Sequence, residues 1–470
     1  MSYDQKVPPL STEKLNFYKP QRLIPYSSTP GFIQDFNFPT RPLKYLDTLN
    51  RRYGDCFLIG GKKSPLVCLS NPKAIEAVFT ADPELFDVAS GHEYLQFILR
   101  ENSILRHDGA SHKRIRKLLT PAYQSMYHQY TYGQLIYDVT RQLTAQWRVG
   151  QPFLVNSSMR EISLQVILRI LFGLDEVERL NQFQSQFMAM INSVDFAIDS
   201  FDFWSYIPES LGQKIRQKMG VLSPWEQFSE QLQKTDQLIL DEIQERRKQG
   251  NVHGKDVLTL LMSIRDDVGQ TIMTEQELRD ALMDIIVGAQ ALPLSLTWVL
   301  YWIHHSPEIH YKLRCELESI GELFNPQKIC QLPYFNAICQ ESFRIYPVNN
   351  IFLRKLKAPL EIMGHHFEAG TILMPCEYLT HRREDLYPEP NCFKPERFLE
   401  RKFSRYEYFP FGGGHRSCMG MLFVKTQIKL VIATILSHFQ LAIINRDPVR
   451  PIHRGLFSLG SPSDLWMVCN

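Results

Sequence analysis

Several features are scarce in this chain of 470 residues, and each scarcity excludes a class of answer. The nine cysteines, from Cys56 to Cys469, are odd in number and contain no Cys-x-x-Cys pair, which argues against a disulfide scaffold and fits reduced thiols in a cytoplasm. Neither charge sign is in excess: 52 Lys and Arg stand against 50 Asp and Glu, a formal net charge of +2, so a nucleic acid is not the expected partner. The first twenty residues hold no apolar run of the kind a secretory signal or membrane anchor needs, and the chain reads as cytoplasmic with no transmembrane anchor. Ile285 to Ile303 carries no charge and reaches spanning length. It contains Gln290, Pro293, Ser295 and Thr297 and has no second span to pair with, so a helix buried on all sides is the preferred reading.

No Gly/Ser linker, charge block or repeat divides the sequence, and we expect an N-terminal extension over 1–25 and a single domain over 26–470. Hydrophobic residues at 44% and charged residues at 22% are those of a globular protein with a sizeable core. The pattern predicts a mainly α fold with small β-sheets. Tyr53 to Leu58, Leu66 to Leu69, Lys355 to Ile362 and Thr371 to Met374 read as short strands. Thr274 and Glu277 form a capping box ahead of an apolar pattern that runs to about His304, where Ser306-Pro307 opens the next helix. At 1.5 Å per residue this predicts one rod of roughly 46 Å. A further helix should start near Pro333 and stop by Tyr346, because Pro347 disfavours helical geometry in the residue before it. Another should follow the glycine-rich stretch from Met421.

The segment Phe409 to Gly420, FPFGGGHRSCMG, places three glycines and an arginine ahead of a cysteine at the mouth of an apolar helix. Free backbone N–H groups at the helix start, together with Arg416, would favour the thiolate, so Cys418 is a candidate nucleophile or soft metal ligand. A buried structural thiol beside a turn is the plainer alternative. A phosphate-cradling loop is disfavoured because no Gly-Lys-Ser/Thr follows.

Spacing decides between these. Phe411, Gly414, Arg416, Cys418 and Gly420 match F-x-x-G-x-R-x-C-x-G at every fixed position, Glu341-Ser-Phe-Arg344 precedes Pro347, and Pro395-Glu396-Arg397-Phe398 lies between them. In this order the motifs resemble those of the cytochrome P-450 family, and the segment Thr380 to Leu399 is similar to soluble bacterial members related to the fatty-acid-hydroxylating, microsomal-like branch. Glu176-Val-Glu-Arg179 shows the same Glu-x-x-Arg spacing out of context and reads as a solvated pair.

The resemblance implies haem b (iron protoporphyrin IX) held between the long helix and the cysteine loop, with Cys418 as the proximal iron ligand. It implies propionate contacts from His112, Arg116, Arg354 and Arg416, and a structural triad of Glu341, Arg344 and Arg397. It also implies a basic surface of Lys113, Arg114 and Lys117 that docks a ferredoxin or flavodoxin supplied by an NADPH-dependent reductase. Regions that contact substrate in the family correspond here to Leu95, Phe97, Ile98, Phe187, Met190 and Ile191. Val287, Val348, Asn349, Phe352, Leu456 and Phe457 continue that set, and Asn350 adjoins it. A hydrophobic substrate, fatty acid, terpenoid or related product of secondary metabolism, is expected. The run Phe196 to Tyr206 resembles a lid or, more plainly, core packing.

The sequence departs from the family in the long helix. Where relatives carry an acid and an alcohol, this chain reads Val287-Gly288-Ala289-Gln290-Ala291. Gly288 still leaves room for oxygen, but Gln290 cannot ionise and Ala291 has no hydroxyl. A substrate hydroxyl, a water chain held by Ser295, or chemistry on peroxides or an already oxygenated substrate are three accounts of the gap. A haem carrier that never turns over, or a thiol-redox protein without haem, are the competing classes.

Overall fold

The computed structural model describes residues 25, 42–59, 66–90, 98–127, 129–205, 224–250, 255–321, 324–445, 449–454, 458–460 and 464–470. Helices dominate it. The longer ones are α1 (Gly109–Tyr127), α2 (Gln129–Thr144), α3 (Val155–Phe172), α4 (Val177–Ser205), α5 (Pro224–Gln249), α6 (Glu275–Ala289), α7 (Ala291–His305), α8 (Pro333–Ile345) and α9 (Met421–His438). From Ile162 to Phe172 every residue of α3 except Arg169 is buried, because α2, α4 and α7 all pack against it. Phe172, Phe183 and Phe187 lie together on the α3–α4 side, with ring centroids 5.0 to 6.5 Å apart. Each such side chain removed from water contributes about 1.5–3 kcal/mol. Arg179 is not the solvated partner expected from its motif: it bonds to Glu242 and Glu245 of α5, and Glu242 is buried.

The strands are β1 (Cys56–Ile59), β2 (Leu66–Leu69), β3 (Phe86–Asp87), β4 (Pro152–Leu154), β5 (Arg354–Leu356), β6 (Leu360–Ile362), β7 (His365–Phe367), β8 (Ile372–Pro375), β9 (Leu441–Ile443), β10 (Ile452–Arg454), β11 (Ser458–Gly460) and β12 (Trp466–Cys469). The largest sheet has the order β1-β2-β8-β5-β3. Its β2–β8 pair is parallel, Leu66 opposite Ile372, and fastens early strands to late ones. Leu66 to Leu69 is a strand as expected. Tyr53 instead ends the helix Pro42–Tyr53, and a turn at Gly54 (φ 80°) delays the strand to Cys56. The span Lys355 to Ile362 divides into β5 and β6, and β6 pairs with β7 rather than with the large sheet.

The expected rod is also interrupted. Its start is as read: the Thr274 hydroxyl accepts the Glu277 N–H at 3.1 Å and the Glu277 carboxylate accepts the Thr274 N–H at 2.8 Å. At Gln290 the regular ladder stops, and its N–H turns to the Val287 carbonyl at 3.2 Å. Pro293 explains the location. It lies in the first turn of α7, where a missing N–H costs nothing, whereas inside one unbroken helix it would strand a carbonyl. Glu275–His305 and Met421–His438 are both long and apolar enough to cross a membrane, so a second candidate span does exist, and 72% of each apolar window is buried inside the protein.

Candidate functional site

Cys418 follows a tight loop whose geometry rests on glycine. Gly414 has φ 67°, and a Cβ there would lie 2.4 Å from the Phe79 carbonyl oxygen, while one on Gly413 would lie 2.2 Å from the Phe79 ring. No other residue type fits so close an approach. The loop closes through the Cys418 N–H, which donates to the Phe411 carbonyl at 2.9 Å. Phe411 meets Phe343 of α8 edge-on at 5.5 Å, and Lys425 lies 5.3 Å from the centre of its ring.

The sulfur faces the N–H groups of Gly420 and Met421 at the mouth of α9. Cys418 keeps accessible surface, yet protein crowds the sulfur enough that desolvation is the largest influence and raises the thiol pKa. The two N–H groups and Arg116 act against it. The expectation that Arg416 would be the cation favouring the thiolate is corrected here. Arg416 bonds to Asp108 at 2.5 Å, to the Ile104 carbonyl at 3.2 Å and to the His107 carbonyl. Arg116 donates to the Ser417 carbonyl at 2.9 Å and acts on the sulfur instead.

The remaining basic side chains converge beside this loop. His112 is buried, meets His415 edge-on at 5.7 Å, and its pKa is pushed down to about 3 by burial and by Arg416, His415 and Arg116. His415 is lowered to about 4 by burial, Arg354 and Arg416. Arg354 is 5% exposed, lies 5.8 Å from the Phe79 ring centre, and has no carboxylate partner among the described residues. Burial and Arg416 pull its pKa down to about 10. With both imidazoles held neutral, three arginines, Arg116, Arg354 and Arg416, thus stand beside the loop with one acid, Asp108, which also accepts the N–H groups of Val88 and Ala89. Arg416 is paired with Asp108, whereas Arg354 and Arg116 have no carboxylate partner among the described residues; cations withdrawn from water need anions, and two propionates would supply them. A thiol beneath two N–H groups suits a thiolate-ligated iron. The residues present fit haem b.

Asp108 and His415 were not singled out in the sequence. Asp108 is one turn ahead of His112 and His415 fills a variable position of the signature, so only helical spacing hinted at the first. Arg114 is not free for a partner protein: it pairs with Glu277 at 2.7 Å, whereas Lys113 and Lys117 remain exposed.

Glu341 and Arg344 are both fully buried and joined by two bonds of 2.7 and 2.9 Å. Arg397 donates to Glu341 at 3.1 Å, as does the Lys394 N–H at 2.8 Å. Arg344 also donates to the His381 carbonyl at 2.7 Å, and His381 Nε2 accepts the Phe409 N–H at 3.1 Å. The network therefore joins α8 and the segment after Pro388 to the start of the cysteine loop.

In the long helix, a Cβ on Gly288 would meet nothing within 4 Å. The Gln290 side-chain amide donates to the Ile286 carbonyl at 3.2 Å, taking the acceptor that its own N–H leaves. The Ser295 hydroxyl donates to the Ala291 carbonyl at 2.9 Å. An acid that the sequence reading passed over, Asp284, lies one turn before Gly288. It accepts Ser103 Oγ–H at 2.6 Å and Ile104 N–H at 2.8 Å, and burial raises its pKa to about 7.

The expected substrate-contact positions divide. Leu95, Phe97, Leu456 and Phe457 lie outside the described residues, as do the side chains of Phe196 to Tyr206. Phe187, Met190 and Ile191 are committed to the core at 0 to 3% exposure, with Phe187 among the α3–α4 rings, and Ile98 is buried as well. Phe352 packs on Phe79 and Phe409 at 6.2 and 6.1 Å and backs the cysteine loop. Val287 and Val348 are half-buried, Asn349 is exposed, and Asn350 is buried. Surface clefts around Trp147 and around Tyr311 and Cys315 lie on other elements.

Comparison with known proteins agrees with this geometry. The Cytochrome P450 family profile matches residues 28–470. A protein of Mycobacterium tuberculosis provisionally named cytochrome P450 135A1 is 28% identical over 89% of this chain and 88% of its own length. One of Mycobacterium bovis, provisionally named cytochrome P450 135B1, is 27% identical over 91% and 88%. The solved structure of retinoic-acid-bound cyanobacterial CYP120A1 superimposes with a TM-score of 0.79 at 19% identity, covering 95% of this chain and 98% of that one. A glycine-rich cysteine loop, a surplus of arginines over acids beside it and a match over nearly the whole sequence converge on one answer: the chain belongs to the cytochrome P450 family of haem-b-binding monooxygenases, within the oxidoreductases.

Proposed function

We propose that this P450 hydroxylates or otherwise oxidises a hydrophobic metabolite, of terpenoid, fatty-acid or related natural-product type, in the cytoplasm. The oxidant is O2, and the electrons come from a ferredoxin or flavodoxin served by an NADPH-dependent reductase. The observation that carries the reading is the Cys418 sulfur under the Gly420 and Met421 N–H groups, beside three arginines and one acid. In this reading Cys418 holds the iron, with Phe411 and Gly420 shaping the space around the sulfur. His112, Arg116, Arg354 and Arg416 hold the propionates, and His415 joins them. Thiolate-ligated haem supplies electron density for O–O cleavage.

The long helix narrows the reading. Gly288 leaves space, Ala291 offers no hydroxyl, and the Gln290 amide is engaged by Ile286. We assign the missing proton-handling group to a hydroxyl on the substrate, which restricts the enzyme to substrates that carry one in the right place. The same two residues favour a second reading, turnover on peroxide or on an already oxygenated substrate, which needs no such group.

Reduced protein exposed to carbon monoxide should show the red-shifted Soret band of thiolate-ligated haem. Cys418→Ala should abolish it, and a variant that keeps the band removes the proposal. Comparing turnover with NADPH and a surrogate ferredoxin against hydrogen peroxide alone separates the two readings. Under the first, Ala291→Thr should change the uncoupled consumption of oxygen, and a metabolite library screened by spin-state shift should return only hydroxylated hits.

A further inference from the structure

Behind the cysteine loop lies a set of buried polar groups that the described residues do not satisfy. Glu377 opens the short helix Glu377–Thr380 and is fully buried, with no partner for either carboxyl oxygen among the described residues. His381, one turn on, is fully buried too. Its Nε2 accepts the Phe409 N–H, so the neutral ring carries its proton on Nδ1. That Nδ1 stands 3.5 Å from Glu377 Oε1, beyond a normal bond, and has no hydrogen-bond partner among the described residues. Asn350 is 1% exposed, and neither its amide oxygen nor its nitrogen has a partner among the described residues. The antiparallel bridge of Ile351 with Cys376, and the Tyr378 N–H donating to the Asn350 carbonyl at 3.1 Å, set Asn350 opposite Glu377.

The surrounding groups leave this cluster to a neutral ligand. Arg344 spends its guanidinium on Glu341 and on the carbonyls of His381 and Cys392. Arg382 lies over the Tyr378 ring and donates through Nη2 to the Ile345 carbonyl, its Nη1 having no partner among the described residues, and no arginine is among the influences on Glu377. Tyr408 stacks on His381 but donates its hydroxyl to the Gln340 carbonyl at 3.0 Å, and Cys376 is buried. With no cation turned toward it, Glu377 is held well above the usual carboxyl range by burial, and His381 well below its own. A protonated acid, an amide and an Nδ1–H together offer both donors and acceptors. Water, with up to four bonds, matches such a set where a metal ion does not.

We propose that Glu377, Asn350 and His381 Nδ1–H bind an internal water, and that this site fixes the imidazole holding Phe409, making Glu377 and Asn350 positioning residues for the cysteine loop. The water site stands without the haem reading; its spectral consequence rests on that reading. A crystal structure of the holoenzyme resolving ordered solvent should show a water within hydrogen-bond reach of Glu377 and Asn350. A dry, collapsed site overturns the proposal.

Two substitutions test the consequence. Glu377→Gln keeps a neutral donor and acceptor, whereas Glu377→Met fills the volume without either. On warming, the thiolate Soret band of the reduced carbon monoxide complex should decay in E377Q as in the parent protein and at least tenfold faster in E377M. Equal rates in all three overturn the positioning role. If E377M does not fold, the E377Q crystal decides, because it must retain the water. If no form shows a thiolate band, the haem reading fails, and the crystallographic water alone decides the site.

Discussion

Arg344 and Glu341 carry opposite charges with no accessible surface, and each meets further groups besides the other. Removing one partner of such a pair leaves the other buried and uncompensated, at a cost of about 3–5 kcal/mol, against about 0–1 kcal/mol for an exposed pair. Arg344→Ala should therefore lower the thermal midpoint steeply and release pigment, and a loss within the exposed-pair range would refute the assignment. Arg344→Lys should not rescue it, since an ammonium cannot reach Glu341 and two carbonyls at fixed angles. Asp284 makes a different prediction. Its carboxyl, facing Ser103, Ile104 and Asp280, has a folded pKa of about 7 against an ordinary 3.8. The fold prefers it protonated, so its contribution is complete below the ordinary value and is lost as pH rises through about 7. Thermal midpoints of the parent and Asp284→Asn at about pH 5 and about pH 8 should show the parent's relative standing fall at the higher pH; a gap that stays constant rejects this. Arg344 was legible because its motif sits in a fixed order with two others. Asp284 was not, because an acid four residues before Gly288 belongs to no motif, and only the fold brings Ser103 and Ile104 to it.

The elements were legible where local chemistry sets their ends. The capping box at Thr274, Pro307 after Ser306, and Pro333 at the first position of α8 mark helix starts that the structure reproduces. The break at Gln290 was missed, although Pro293 was visible, because an interior proline signals strain without saying where the chain will release it. Here it is released three residues upstream, with the Gln290 side chain taking over the Ile286 carbonyl. Pro293→Ala should remove the obstacle to one continuous helix, and the backbone bonds gained across Gln290 should raise the thermal midpoint. A crystal structure of that variant should show the Gln290 amide freed from Ile286. A midpoint that does not rise, with the interruption intact, would show that Gln290 rather than Pro293 determines it. The substrate-contact set was the least legible part, since apolar residues such as Phe187 look alike in sequence whether they line a cavity or fill a core.

Over the whole molecule, charge is nearly balanced at +2, so any attraction for an acidic electron donor must be local. Lys113 and Lys117 are exposed on α1, the helix that also carries His112 and Arg116, whereas Arg114 is held by Glu277. Reversing both lysines to Glu should slow reduction by an acidic ferredoxin by about tenfold or more at low salt. It should flatten the salt dependence of that step and leave peroxide-driven turnover untouched. An unchanged reduction rate would move the docking surface elsewhere.

The contact of Phe79 with Gly413 and Gly414 has one more implication. Phe79 belongs to the helix Pro72–Thr80, which directly follows β2, and its ring and carbonyl form the wall against which the cysteine-bearing segment is pressed. A fragment beginning after residue 100 would retain the sulfur, its neighbouring arginines and both long apolar helices, yet it would lose the backing that gives the loop its shape. No piece of this protein that lacks Phe79 should therefore serve as a minimal pigment-binding unit.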